Sequence, residues 1–131
     1  MSLKYSNVML TFLTILDQIK VYHWQTTNYA RHKATDELHG ELSSLVDKFI
    51  ECLNGRLGFE SPGYRIMLNE NRKIKLTDMN DSNGITFLLN IKNYLESNEL
   101  IDVMSNSSEL INIRDEMLSA VGKTNYLFSL G

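Results

Sequence analysis

Four segments of the chain carry apolar residues at three- and four-residue steps, the spacing that collects side chains on one face of an α-helix. The pattern predicts helices over residues 6–26, 29–53, 85–95 and 109–121. The third could continue through residue 103, and Gly122 could interrupt the fourth before the last apolar residues. The second helix would be roughly 40 Å long at 1.5 Å per residue. A helix of that length in a chain of this size indicates a helical bundle.

Polar residues mark the ends of these segments. Side chains that can cap a helix N-terminus precede all four: Ser6 or Asn7, Asn28, Asp81 or Ser82, and residues 105–108. The Asn54-Gly55 pair after the second segment is typical of a helix C-terminus.

Between the second and third helices, residues 55–83 lose the helical period and contain Pro62, the only proline. Residues 66–68 and 74–76 could pair as a short β-hairpin around residues 69–71. The connection is longer than a tight turn needs, and it is long enough to return the chain to the other end of a bundle. The second and third helices would then run parallel, as in ferritin-like four-helix bundles. We therefore expect an all-α protein with a single ferritin-like domain spanning residues 1–131.

Composition narrows the class of protein. The formal net charge of −3 argues against a nucleic-acid or anionic-membrane partner. The single cysteine, Cys52, cannot form an intramolecular disulfide, which favours a reduced, cytoplasmic setting. No apolar run reaches the length of a transmembrane helix. A Gly-rich phosphate loop is also missing, so nucleotide binding has no support.

The candidate chemistry lies in residues 22–51, which contain every histidine of the chain. Imidazole and carboxylate groups fall here at helical intervals: His23, His32, Asp36, His39, Asp47 and Glu51. On a helical wheel most of them form a band beside the leucine-rich stripe of the second helix. An amphipathic helix needs only an apolar face and a solvent-exposed face, so the additional band of imidazole and carboxylate groups needs a separate explanation. Imidazole with carboxylates suits a divalent metal such as iron, manganese or zinc.

One chain cannot bring the whole band to a single ion. Asp47 lies fifteen residues after His32, roughly 22 Å along the same helix, and Glu51 lies farther still. Two copies with antiparallel second helices could join the two halves, because an isologous interface sets each residue against its counterpart twice. The sequence therefore predicts a homo-oligomer that is at least a dimer.

The string HWQTTNYARH, followed by the two later carboxylates, resembles the mini-ferritins called Dps. The resemblance implies that His23 and His32 of one subunit and Asp47 and Glu51 of its two-fold mate form an iron-oxidation site, with Asp36 as an accessory. It also implies iron as the metal, with manganese or zinc as alternatives, and a ferroxidase-type activity. The interval from His23 to His32 is shorter than in that family, and the usual glycine of its loop is missing.

The phrases HWQT and YARHKA also resemble a group of uncharacterised proteins from tailed phages and large DNA viruses. This likeness continues into LVDKFIE, NGR, NIRDEM and KTNYL. It implies no activity, and it would place the protein in the cytoplasm of a host cell.

Simpler explanations exist for each candidate residue. His23 could pack at the end of its helix with its imidazole bonded to a backbone carbonyl, and His39 could be structural or solvent-facing. Asp47 and Glu51 could form ordinary salt bridges with Lys48 or Arg56. The alternative to a metal protein is therefore a non-enzymatic helical structural or interaction protein with a vestigial site.

Overall fold

The computed structural model describes residues 3–68 and 72–131. Within these residues the chain forms five α-helices and one 3₁₀ turn, and it forms no strand. The helices are α1 (Leu3–Gln25), α2 (Tyr29–Glu60), α3 (Gly84–Leu95), α4 (Asn98–Met104) and α5 (Ser108–Phe128), with the 3₁₀ turn at Asp81–Asn83. The predicted all-α class is confirmed. A search of the described helices finds none that combines the length and the hydropathy needed to span a bilayer.

The first helix begins at Leu3, so the predicted cap at Ser6 or Asn7 is wrong. Two helix C-termini also differ from the prediction, because burial outweighs the cost of a glycine. α2 continues past Asn54-Gly55 to Glu60, and it buries Leu57 on the same face as Leu53. α5 continues past Gly122 and buries Phe128. A helical glycine costs about 1 kcal/mol relative to alanine, whereas a fully buried Leu or Phe side chain contributes about 1.5–3 kcal/mol.

The predicted continuation of the third helix is instead a separate element. The Ser97 side chain accepts a hydrogen bond from the backbone N–H of Leu100 at 3.2 Å and caps α4. α4 then buries Leu100, Val103 and Met104 against the core. A short helix with its own N-cap therefore follows α3, where periodicity alone indicated one fading helix.

The helices pack in a bundle that the long connection crosses from end to end. α2 packs mainly against α1 and α5, and α3 packs against α5. At one end of the connection Tyr64 contacts the ring of Tyr5, near the start of α1, with the ring centroids 6.0 Å apart. At the other end the backbone of Thr77 pairs with the amide of Gln18, near the end of α1. The chain therefore returns alongside α1, and α2 and α3 run parallel as expected.

The predicted β-hairpin does not form in the described part of this connection. The first residue of its predicted strands, Ile66, and the residue just after them, Thr77, instead bond through their backbones to helix side chains. The N–H of Ile66 donates to the side-chain oxygen of Asn54 at 2.9 Å. The N–H of Thr77 donates to Gln18 Oε1 at 3.0 Å, and Gln18 Nε2 donates back to the Thr77 carbonyl at 2.8 Å. The turn predicted at residues 69–71 lies outside the described residues.

Candidate functional site

The turn between α1 and α2 places the two predicted histidine ligands side by side. The side chain of Asn28 accepts a hydrogen bond from the N–H of Arg31 at 2.9 Å, so the predicted N-cap is confirmed. The Thr26 hydroxyl accepts from the N–H of Asn28 at 3.2 Å. With only three residues between the helices, the end of α1 faces the start of α2.

His23 and His32 form a stacked pair. Their ring centroids are 3.9 Å apart and their planes differ by 16°. Nδ1 of His23 lies 2.7 Å from the main-chain oxygen of His32, and Nδ1 of His32 lies 2.9 Å from that of His23. A carbonyl oxygen can only accept, so each Nδ1 carries the proton and donates. In the neutral rings the unprotonated nitrogen is therefore Nε2 in both residues.

The two histidines differ in how firmly they are held. His23 is 9% exposed, and its Nδ1 also lies 3.1 Å from the Thr35 hydroxyl. His32 is exposed and lies next to the ring of Tyr29, at a centroid distance of 6.4 Å. Tyr29 and Trp24 are themselves 74% and 72% exposed. His32 is thus the more accessible ring, at the edge of an exposed aromatic surface.

The stacked geometry limits what the pair can coordinate. An imidazole lone pair lies in the plane of its ring, so the lone pairs of two parallel rings do not converge on one point. Joint coordination of one ion would require one ring to turn. His32 can turn more easily than His23, because His32 is exposed and its ring nitrogen has a single bonding partner among the described residues.

The predicted carboxylate ligands lie on the outer face of α2. Asp36, Asp47 and Glu51 are all exposed. Within residues 3–68 and 72–131, no three His, Cys, Asp or Glu side chains group as a metal site. A single chain therefore brings together His23 and His32 but not the later carboxylates, in agreement with the distance along α2.

The salt-bridge alternative for Asp47 and Glu51 does not hold for the described residues. Arg56 pairs with Glu60 at 3.8 Å and donates to the Val103 carbonyl at 3.1 Å. Among the ion pairs of the described chain, none involves Asp47, Glu51 or Lys48. The two carboxylates are thus available to another partner.

His39 lies in a shallow groove with Leu13, Gly40, Ser43 and Asp47. Burial lowers the pKa of His39. Lys20 lowers that pKa further, whereas Asp17 and Asp36 oppose the shift. A neutral, half-buried imidazole fits the structural role that the sequence allowed for this residue.

A second polar cluster, the Asp81 clamp, closes this end of the bundle. Tyr22 and Thr26 both donate hydroxyl hydrogen bonds to Asp81 Oδ1, at 3.0 and 2.5 Å. Arg31 Nη1 donates to the Tyr22 hydroxyl and to the Asp81 carbonyl, both at 2.8 Å. Sequence reasoning missed this clamp and considered Asp81 only as a helix cap.

The clamp leaves no room for a side chain at Gly84, the first residue of α3. A Cβ at Gly84 would collide with the Tyr22 hydroxyl and would lie 2.7 Å from Arg31 Nη1. Arg31 also places its guanidinium 4.7 Å from the ring centre of Phe128. The clamp therefore ties α1, α2, α3 and α5 together directly behind the histidine pair.

The fold and the site define an all-α protein with a paired-histidine turn. A family model described as a family of unknown function (DUF5856) matches residues 23–128. The match spans most of the chain, so the protein belongs to this family. Comparison with curated proteins and with solved structures gives no match. The matched range contains all five candidate ligands, but the family description assigns them no role.

Proposed function

We propose that this protein is a ferritin-like, Dps-like metal-binding protein whose site is shared between two copies. Each site would take His23 and His32 from one copy and Asp47 and Glu51 from the other, with Asp36 as an accessory. The observation that carries the proposal is the hydrogen bonding of the histidines, in which both Nδ1 atoms donate to main-chain carbonyls. Ligand histidines usually donate their second nitrogen in this way, which orients the ring and leaves Nε2 for the metal.

The state of the carboxylates supports the same proposal. Asp47 and Glu51 are exposed and form no ion pair within the described residues. In an interface between two copies, unpaired carboxylates would carry a desolvation cost unless a cation lay beside them. A bound divalent metal would offset that cost. The parallel course of α2 and α3, reached through one long crossover, is the connection of ferritin-like bundles.

In this site the residues have distinct tasks. His23, buried and bonded to two oxygens, would hold its orientation, and His32 would turn to bring its Nε2 toward the same ion. Asp47 and Glu51 of the second copy would balance the charge of the metal. Iron(II) is the proposed substrate, and it would be oxidised to iron(III) with dioxygen or peroxide as the electron acceptor. Manganese or zinc could bind to the same donors.

One observation favours the alternative, a non-enzymatic helical structural or interaction protein. The reciprocal bonds already satisfy one nitrogen of each histidine and join the end of α1 to the start of α2. A structural role would therefore explain the pair without a metal. The two proposals differ in whether added metal is bound and whether it stabilises the protein.

Metal titration of the full chain, purified without a histidine tag, separates these proposals. We expect two iron(II) ions per dimer under anaerobic conditions, followed by an absorbance change when air is admitted. Zinc or manganese should raise the unfolding temperature, because a ligand that binds only the folded state stabilises it. If iron, manganese and zinc neither bind nor stabilise the protein, the metal proposal fails and the structural alternative replaces it.

The shared site also fixes the register of the proposed dimer. If His32 faces Asp47 or Glu51 across a two-fold axis, the axis passes midway between them, at about residue 40 of α2. Residue 40 is an exposed glycine, and a Cβ placed on it would meet no atom within 4 Å apart from its chain neighbours and the nearby backbone of α2. The same register brings Lys33 of each copy near Asp47 of the other, so opposite charges face each other. The Gly40 surface therefore suits the close approach of two α2 helices.

Substitution of Gly40 by cysteine tests this register. In a Cys52→Ser background, Gly40→Cys should form a disulfide-linked dimer on mild oxidation, because a residue on the axis meets its own copy. A disulfide needs Cα atoms within about 7 Å. The matched control is Glu41→Cys, at the same level but turned about 100° around the helix. Non-reducing gels would contradict the register if the control cross-linked equally well or if neither variant did.

A further inference from the structure

The crossover carries a concentration of positive charge that no other part of the protein shares. We call residues 65–68 and 72–76 the basic strap. It contains four exposed cations, Arg65, Arg72, Lys73 and Lys75, while the single carboxylate of the 65–76 range, Glu70, lies outside the described residues. With Glu70 counted, residues 65–76 carry a formal charge of +3, so the remainder of the chain carries −6. None of the four cations takes part in an ion pair among the described residues.

The same strap exposes large apolar side chains. Met67 is 66% exposed, and Leu68, Ile74 and Leu76 are also exposed. Single exposed apolar residues are ordinary on a protein surface, but four of them within one short segment that also exposes four cations favour an interaction surface. The strap therefore combines two properties, basic and apolar, that one partner should satisfy together.

The strap is held at both ends and presented to the outside. Asn54 accepts from the N–H of Ile66, and Gln18 forms two hydrogen bonds with the backbone of Thr77. The second attachment, Gln18, lies about 140° around α1 from Leu13, which borders the groove that holds His39 and Gly40. Asn54 lies about 20° around α2 from Asp47, so the first attachment of the strap shares a face of α2 with one proposed metal ligand. The test of the strap needs no metal, so its outcome is distinct from that of the metal proposal.

We propose that the basic strap binds anionic lipid surfaces. Arginine and lysine side chains pair with acidic headgroups, while neighbouring apolar side chains enter the boundary of the acyl region. Nucleic acid fits less well, because residues 65–76 contain no aromatic residue to stack on bases and the exposed apolar side chains would stay in water. The net charge of the whole chain is negative, but a membrane would contact only one face of the protein. The local charge of the strap therefore matters more for lipid binding than the average over the chain.

Vesicle flotation of the full chain tests the proposal. The protein should float with phosphatidylcholine vesicles that contain about a third phosphatidylserine, should not float with pure phosphatidylcholine, and should dissociate as salt rises. Each cation near an anionic surface contributes about a fivefold change in affinity. Lys73→Glu with Lys75→Glu should therefore reduce binding at least about 25-fold. Ile74→Ser with Leu76→Ser should weaken the part of binding that persists in high salt.

The matched control reverses one cation of α2 and one of α3, Lys48→Glu with Lys92→Glu. It changes the net charge equally at two exposed positions outside the strap, so vesicle binding should stay close to that of the wild type. All of these side chains are at least partly exposed, and circular dichroism would verify that each variant folds. The proposal is overturned if anionic and neutral vesicles bind alike, if neither binds, or if the control loses as much binding as the strap variants. It is also overturned if the strap retains single-stranded nucleic acid but no vesicles.

Discussion

His32→Ala and Asp47→Ala are each expected to abolish iron(II) binding, and a mixture of the two variants is expected to recover it in part. In a mixed dimer, one site would combine an intact His32 from one chain with an intact Asp47 from the other. The second site would lack both residues. After random exchange of subunits, about a quarter of the wild-type sites should return. Anaerobic titration of the single variants and of their equimolar mixture measures this recovery.

The controls separate a shared site from a site within one chain. His39→Ala should retain iron binding, because His39 lies in the neighbouring groove and is not among the proposed ligands. Light scattering should show that each single variant is still a dimer. If both variants are dimeric and their mixture binds no iron, the two halves do not belong to a common site. Such a result would contradict the shared site. A dimer with its two-fold axis near residue 40 would then be tested only by the Gly40→Cys cross-linking experiment.

Asp81→Ala should produce the largest loss of stability among the polar substitutions considered. The change removes the acceptor of two hydroxyl groups, one of which belongs to the fully buried Tyr22. The Tyr22 hydroxyl would keep the hydrogen bond from Arg31 but would lose the acceptor for its own proton, and a buried donor left unsatisfied costs about 1–3 kcal/mol. Asp78→Ala is the matched control, because its exposed carboxylate accepts only from the Gln25 amide among the described residues. Chemical unfolding should shift by about 0.5 kcal/mol or less for the control, and an equal loss in both variants would contradict the role of the clamp.

The contribution of Asp81 should also depend on pH with a definite sign. Hydrogen bonds from Thr26 and Tyr22, together with the charge of Arg31, hold the pKa of Asp81 below its ordinary value. A carboxyl with a lowered folded-state pKa stabilises the fold above its unfolded-state pKa of about 3.9. That stabilisation is lost as the pH falls through the lower folded-state pKa. The difference between wild type and Asp81→Ala should therefore be full at pH 7 and should shrink in strong acid.

The helices could be predicted from the sequence because their buried residues repeat at regular steps. The prediction was wrong where a local signal met a stronger tertiary effect. Gly55 and Gly122 looked like helix ends, yet the burial of Leu57 and Phe128 carries α2 and α5 onward. The start of α4 depends on a single hydrogen bond from Leu100 to Ser97, which periodicity cannot detect. The residues at which the helices begin and end could therefore not be predicted without knowing how the helices pack.

Only the part of the candidate site whose residues are close in the sequence, the histidine pair, could be predicted. The resemblance carried by HWQTTNYARH implied that His23 and His32 lie in one site, and the structure places their rings in contact. Their reciprocal bonds depend on the exact path of the turn, which residue types alone do not specify. The Asp81 clamp joins residues 22 and 81, and no sequence period connects positions so far apart. The union of His32 with Asp47 of a second copy remains a prediction.

The attachment of the crossover by helix side chains has a consequence for how this family can change. Asn54 and Gln18 fix residues 66 and 77 from outside, so the stretch between these two points does not set the position of α3. Lengthening that stretch would cost little, since the entropic cost of closing a loop grows only with the logarithm of its length. Insertions and deletions between the two attachment points should therefore be common among relatives, while the register of the helices stays constant. Evolution could then refit this segment to new partners without changing the residues that form the histidine turn.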